Sequence, residues 1–198
     1  MDGIRTRTAL VTGGMGGLGQ AIARTLHAAG HRVLVTCTAT DDVPGWLAAQ
    51  AEAGFHFAAY EVDVGDFSSC QAMAQRIQAD GAQVDILVNN AGITRDATFR
   101  KLDKEAWDAV LRVNLDSMFN VTKVFIEGMI SRGWGRVINI SSVNGSKGQF
   151  GQTNYSASKA GVQGFTRALA QEVARKGVTV NAVSPGYVAT QLVLDMPE

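Results

Sequence analysis

The stretch "VTGGMGGLGQAIA", residues 11–23, decides the fold. A β-branched lead runs into five glycines between Gly13 and Gly19, and a helical pattern, "LGQAIARTLHAAG", follows at once. A tight turn between a strand and a helix N-terminus aims backbone N–H groups and the positive end of the helix dipole at one point, which suits a pyrophosphate. The spacing, Thr12-Gly13 followed by Gly17 and Gly19, is one residue wider than the commoner GxGxxG. No Lys-Ser/Thr pair follows, which argues against a phosphoryl-transferring P-loop. Gly13, Gly14, Met15, Gly16, Gly17, Leu18 and Gly19 are therefore the candidate dinucleotide-binding turn.

Outward from this turn, short β-branched runs alternate with longer helical patterns. Strands are expected at "TALVT", "RVLVTC", "HFAAYEVD", "DILVNN", "RVINISS" and "VTVNAVS". Several are apolar nearly throughout, as strands are when helices cover both faces of a parallel sheet. Helices are expected at "WLAAQAEAG", "CQAMAQRIQADG", a long segment from Lys104 to Met129, and "YSASKAGVQGFTRALAQEVARKG". Gly30, Gly54, Gly81 and Gly177 fall where helices should end, and Asp103 where one should begin. Six β/α units in this rhythm predict an α/β fold, a three-layer doubly wound parallel sheet with strand order 3-2-1-4-5-6, in a single domain over residues 1–198.

Lys plus Arg equals Asp plus Glu at 18 each, which gives no electrostatic reason to expect nucleic acid or a membrane surface as partner. Apolar residues at 46% allow a sizeable core. Cys37 and Cys70 are isolated and read as buried thiols in a reducing compartment, and the three histidines have no metal spacing. "MDGIRTRTALVTGG" passes from a charged lead directly into a strand, with no signal-peptide core, so a cytoplasmic protein is expected.

The strand ends carry the candidate chemistry. At the second, "RVLVTCTATDD", an acid would bind the adenosine 2′-hydroxyl of NAD and a nearby arginine the 2′-phosphate of NADP. No acid stands before Asp41, which tilts the reading toward NADP(H) and leaves NAD(H) open. Asp63, followed by Val64, ends the third strand, placed either to meet the adenine edge or to cap the next helix. Asn90, Ala91 and Gly92, in "NNAG", end the fourth beside the crevice where strand order reverses. Tyr155 and Lys159, at i and i+4, share a helix face. A free phenol has a pKa near 10, and a close ammonium should lower it until the tyrosine can protonate a carbonyl oxygen. Ser142 would face Tyr155 and hydrogen-bond the same oxygen. Asn114, an odd residue for mid-helix, could hold a water that links Lys159 to solvent.

Together "TGGMGGLG", "NNAG", Asn114, "NISS", "YSASK" and "SPGYVAT" resemble the motif set of the short-chain dehydrogenases/reductases, in the family's order and across essentially the whole chain. The resemblance implies Asn114, Ser142, Tyr155 and Lys159 as the catalytic set. It also implies that Lys159 bonds the nicotinamide ribose, and that Pro185, Gly186, Val188 and Thr190 contact the nicotinamide end. A homo-oligomer, a tetramer in the family, is implied as well.

Within the family, "NNAGITRDATFRKL", "RGWGRVINISSVNG" and "KGQFGQTNYSASKAG" look most like the acetoacetyl-CoA reductases of polyhydroxybutyrate synthesis, which closely resemble 3-oxoacyl-ACP reductases. Gln149, Phe150 and Gln152 then suit a short β-ketothioester, with Asp96 and Tyr187 at the same mouth. The partner would be a CoA thioester, or one carried by ACP. The alternatives are another short-chain ketone or sugar reductase and a nucleotide-binding remnant without turnover. Against the family's pattern, the chain lacks about fifty final residues, including a seventh strand (an expectation from the resemblance alone).

Overall fold

The computed structural model describes residues 6–186 and 188. Six strands form one parallel sheet: β1 (Thr8–Val11), β2 (Arg32–Cys37), β3 (Phe57–Glu61), β4 (Ile86–Asn89), β5 (Gly135–Ile140) and β6 (Val178–Val183). Their order is β3-β2-β1-β4-β5-β6, as the alternation predicted. The reversal falls at β1, whose neighbours are β2 on one side and β4 on the other. Among the described residues β6 pairs with β5 alone.

The first helices, α1 (Gly17–Ala28) and α2 (Val43–Glu52), cover one face, where Ala9, Val11, Val33, Val35 and Val88 pack with Ala23 and the half-buried Leu18, Ile22 and Trp46. The opposite face carries Leu10, Leu34, Leu87 and Val137. It packs against Cys70, Met73 and Ile77 of α3 (Phe67–Ala79), Val121, Phe125 and Met129 of α5 (Ser117–Ser131), and Val173 of α7 (Thr153–Val173). Alternate residues of each strand thus serve opposite cores, which is why the strands read as continuous apolar runs. Both thiols are free and buried, as expected. Among the described residues, no helix is long and apolar enough to cross a membrane.

Helix ends follow the predicted chemistry. Gly30, Gly54, Gly81 and Gly177 take φ between 71° and 85°, the left-handed region that favours glycine. Asp103 caps α4 (Lys104–Leu111) by accepting from Ala106 N–H at 2.7 Å. The long predicted helix from Lys104 is not uniform. Residues Arg112–Asp116 form a π-helical turn between α4 and α5, and Asn114 sits in it, fully buried. A single extra residue per turn rotates a side chain off the helix's own face, a feature frequent at functional sites. A four-residue helix, α6 (Asn144–Lys147), was not predicted.

A row of buried amides and hydroxyls crosses the sheet. Asn89 of β4 donates to Asn139 of β5 at 2.8 Å and to Thr122 of α5 at 3.0 Å. Asn139 in turn donates to Thr166 of α7 at 2.9 Å. The pair is in direct parallel register, so each amide finds the other without backbone adjustment. Truncating Asn139 to alanine strands a donor of Asn89 and the Thr166 oxygen in the core. Asn139→Ala is expected to cost about 1–3 kcal/mol in urea unfolding, whereas Phe150→Ala, at a side chain 86% exposed, should leave the midpoint unchanged.

Candidate active site

The glycine turn is shaped by how closely it lies against the "NNAG" segment. Gly13 has φ +62°, and a methyl group there would meet Ala91 Cα at 3.1 Å. A methyl group on Gly19 would run into the Gly13 carbonyl and the Asn90 amide, and one on Gly14 would press into Val35. The Thr12 hydroxyl accepts from Asn90 N–H at 2.9 Å and Ala91 N–H at 3.0 Å. Asn90 Nδ2 returns two bonds, to the carbonyls of Thr12 at 2.9 Å and Gly13 at 3.2 Å. Gly13 N–H donates to Thr36 Oγ1 at 3.0 Å. The turn is therefore stapled to β2 and β4, and its glycines bring backbone close to the crevice.

A cleft of about 880 Å³ runs over it. Of the predicted turn residues, Gly13, Met15, Gly16, Gly17, Leu18 and Gly19 line this cleft, while Gly14 is turned against Val35. Asp63, Val64, Asn90, Ala91, Gly92, Ser142, Tyr155, Lys159, Pro185, Gly186 and Val188 line it too. Asn114 stands behind Gly92. Thr190 and Tyr187 lie outside the described residues. The cap of α3 is Asp66, not Asp63. Asp63 accepts from Gly65 N–H at 2.9 Å and pairs with Arg112 at 2.7 Å. Arg112 and the β2-end residues Thr38, Thr40 and Asp41 also line the cleft, and the sequence reading did not place them there.

Opposite the glycine turn, three candidate groups converge. Lys159 is 3% exposed, and its ammonium donates to the Ile140 carbonyl at 2.8 Å, where β5 ends. Burial lowers its pKa to about 8. Nζ lies 5.6 Å from the centre of the Tyr155 ring. The Tyr155 phenol is pushed up by burial, pulled down by a hydrogen bond with Ser142, and raised again by the Asp96 charge. The net shift is upward, against the expected lowering by the lysine, because desolvation of the phenol outweighs the Ser142 hydrogen bond. Ser142 Oγ accepts from Asn144 N–H at 3.1 Å, which orients the hydroxyl from α6. Val143 N–H donates to the Pro185 carbonyl at 3.1 Å and ties the same helix to the far wall of the cleft.

Asn114 behaves differently from expectation. Its Oδ1 accepts from Ile93 N–H at 2.8 Å, and Nδ2 donates to the Ile93 carbonyl at 3.0 Å and to Ser158 at 3.3 Å. The amide is committed to the backbone after "NNAG", so both its donors are spent on protein rather than on a relay water.

The expected acyl residues also diverge. Asp96, Gln149, Phe150 and Gln152 do not line the cleft among the described residues. Gln152 is buried, and its amide is spent twice: Oε1 accepts from Asn144 at 2.9 Å and Nε2 donates to Asp96 at 2.7 Å. With Ala97 N–H on the Gly151 carbonyl at 2.9 Å, it locks the loop around Asp96 against the start of α7. A buried amide is recruited by whichever unpaired groups share its pocket, and no local sequence signal reveals them.

The short chain dehydrogenase profile matches residues 7–198. The chain belongs to that family. It is an oxidoreductase that acts on CH–OH groups with a nicotinamide cofactor, and the glycine-rich turn beside the cleft fits such a dinucleotide. It is 58% identical to nodulation protein G of Azospirillum brasilense over 97% of this chain and 78% of the relative. It is 56% identical to the acetoacetyl-CoA reductase of Cupriavidus necator, over 94% of this chain and 76% of that protein. Among solved structures, a variant of actinorhodin polyketide ketoreductase with NADPH superposes with a TM-score of 0.91. It is 40% identical, over 95% of this chain and 73% of that one.

The buried ammonium makes a testable demand on stability. Lys159 loses its proton near pH 8 in the folded chain but only near its ordinary 10.5 when unfolded. Between those values the unfolded state binds more protons, so this group makes stability rise with pH. Lys159→Met lacks that rise. Urea unfolding of both proteins at about pH 7.5 and pH 9.5 should show the wild type gaining on the variant, by at most about 1.4 kcal/mol per pH unit above 8. A constant gap would contradict the low pKa.

Proposed function

We propose that this chain reduces the 3-carbonyl of a short β-ketoacyl thioester, acetoacetyl-CoA to 3-hydroxybutyryl-CoA, by hydride transfer with Tyr155 as proton donor. The observation that carries the chemistry is the convergence of Ser142, Tyr155 and Lys159 on one end of the dinucleotide cleft. What supports the substrate is the identity to acetoacetyl-CoA reductases, 56% and 52% for two of them. The solved ketoreductase with NADPH is the support for a nicotinamide cofactor.

A reduced nicotinamide bound in the cleft supplies the hydride to the carbonyl carbon. The chain's own residues handle the oxygen. Ser142 donates a hydrogen bond to it, and as it gains negative charge the Tyr155 hydroxyl gives up its proton to form the product alcohol. The phenolate left behind is stabilised by the Lys159 ammonium across the ring, in a site dry enough for that attraction to count. Burial holds the proton on Tyr155 until the substrate oxygen calls for it, which suits a donor better than a phenol already ionised. Asn114 acts as a positioning residue, since its amide fixes the backbone at Ile93 along the cleft wall.

Gln152 is consumed by Asn144 and Asp96, so it sets the loop on which Phe150 stands rather than touching the acyl group. Chain-length selection is then left to that loop.

The test is oxidation of reduced nicotinamide by the protein with acetoacetyl-CoA, with an acetoacetyl-ACP and with a simple methyl ketone. Preference for the CoA thioester is expected; preference for ACP or the free ketone would move the substrate assignment. Tyr155→Phe should lower kcat by about 10²–10⁴-fold with cofactor affinity unchanged. A variant that kept most of its turnover would remove Tyr155 from the donor role.

A further inference from the structure

NAD and NADP differ by one phosphate on the adenosine ribose, and the residues just past β2 face that position. The strand itself ends in Thr36 and Cys37, without an acid. The chain then doubles back on itself. Asp41 N–H donates to the Thr38 carbonyl at 3.2 Å, and Thr38 returns two bonds to Asp41 Oδ2, from its N–H at 2.6 Å and its hydroxyl at 3.0 Å. A carboxylate that sequence distance puts beyond the strand is thereby folded back to the strand's end. Asp41 lines the cleft, and its Oδ1 has no hydrogen-bond partner among the described residues.

The charges around it are of one sign. Glu61 and Asp63 line the same region of the cleft. The Cys37 thiol is pushed up by burial first and then by Asp41 and Glu61, so their field reaches the end of β2. Among the described residues the cations that line the cleft are Arg112 and Lys159. Arg112 is committed to Asp63 at 2.7 Å, and Lys159 is committed to the Ile140 carbonyl. Arg76, near Glu61, donates to that residue's carbonyl and does not line the cleft, and Arg32 begins β2 at its opposite end.

A 2′-phosphate carries close to two negative charges and is held by cations, most often a guanidinium. A ribose diol carries two donors and asks for an acceptor. We infer that this chain selects NAD(H) over NADP(H), with Asp41 as the specificity-determining residue that accepts from the adenosine ribose hydroxyls. The inference rests on the nicotinamide reading above, and it reverses the tilt toward NADP(H) drawn from the end of the strand alone. It also departs from the solved ketoreductase with NADPH.

Isothermal titration of the 198-residue protein with NADH and with NADPH, without substrate, tests it directly. NADH should bind at least about tenfold more tightly, the scale of one like-charge contact near a protein surface. Asp41→Asn keeps an oxygen for Thr38 and removes the charge. NADPH should then gain about tenfold and the preference should largely vanish, with the same shift in the kcat/KM ratio. Tighter NADPH binding by the wild type, or a preference unchanged in Asp41→Asn, would overturn the inference while leaving the reductase reading in place. Binding of neither dinucleotide would overturn that reading and this one together.

Discussion

An ammonium that is buried, among the described residues, without a carboxylate partner is the constraint around which this molecule is arranged. Lys159 is 3% exposed, and its ammonium donates to the Ile140 carbonyl at the end of β5. Taking such a charge out of water is costly unless the site supplies dipoles, and here a strand-end carbonyl supplies one. The backbone closes around it. Ser141 Oγ holds the Lys159 carbonyl at 2.8 Å, and a methyl group on Gly145 would press into the Lys159 backbone. One on Gly92 would lie 3.2 Å from Asn114 Oδ1 and 3.6 Å from Nζ. The cost of burying the charge shows in the pKa of about 8, so folding is carried by the apolar cores on both faces of the sheet while this position is held at a loss.

The same economy of space recurs at the glycine turn. Thr12 and Gly13 after β1 accept four hydrogen bonds from Asn90 and Ala91 after β4. Those bonds bring two loops close enough that neither Gly13 nor Gly19 can carry a side chain. At Gly13, Gly16, Gly17 and Gly19 what faces the crevice is then backbone, beside the start of α1. Deeper in, the Asn89–Asn139–Thr166 row pins β4, β5 and α7 at one register, so the helix that carries Tyr155 and Lys159 cannot slide relative to the strand that leads into Ser142. A buried polar row of this kind contributes more to uniqueness than to net stability.

What the sequence made legible were features written in local chemistry. The strand order followed from apolar runs and helical spacing, and the helix ends from Gly30, Gly54, Gly81 and Asp103. The Tyr155–Lys159 pair was visible because one helical turn places both on one face. The hidden features depend on groups far apart in the chain. The π turn at Arg112–Asp116 carries no propensity signal, and Asn114 occupies it because Ile93 offers both backbone groups to one amide. Gln152 read as a substrate amide because its partners, Asn144 and Asp96, arrive from other segments. Asp41 was discounted by its distance along the chain, and only the reversal at Thr38 brings it back.

These local facts add up to an electrostatic direction along the cleft. Asp41, Glu61 and Asp63 make one end negative, with the Arg112 charge absorbed by Asp63; the far end holds the Lys159 ammonium behind Tyr155. Between them the start of α1 offers N–H groups and a partial positive charge, which suit an anion. A dinucleotide with a neutral diol at one end and its pyrophosphate over the helix would meet complementary charge at each station. Reversed, it would set the ribose hydroxyls against an ammonium and leave the carboxylates without donors. Orientation would thus follow from the order of charges along the groove before any contact with the reacting ring, and Tyr155 stands at the end where that order would place the ring.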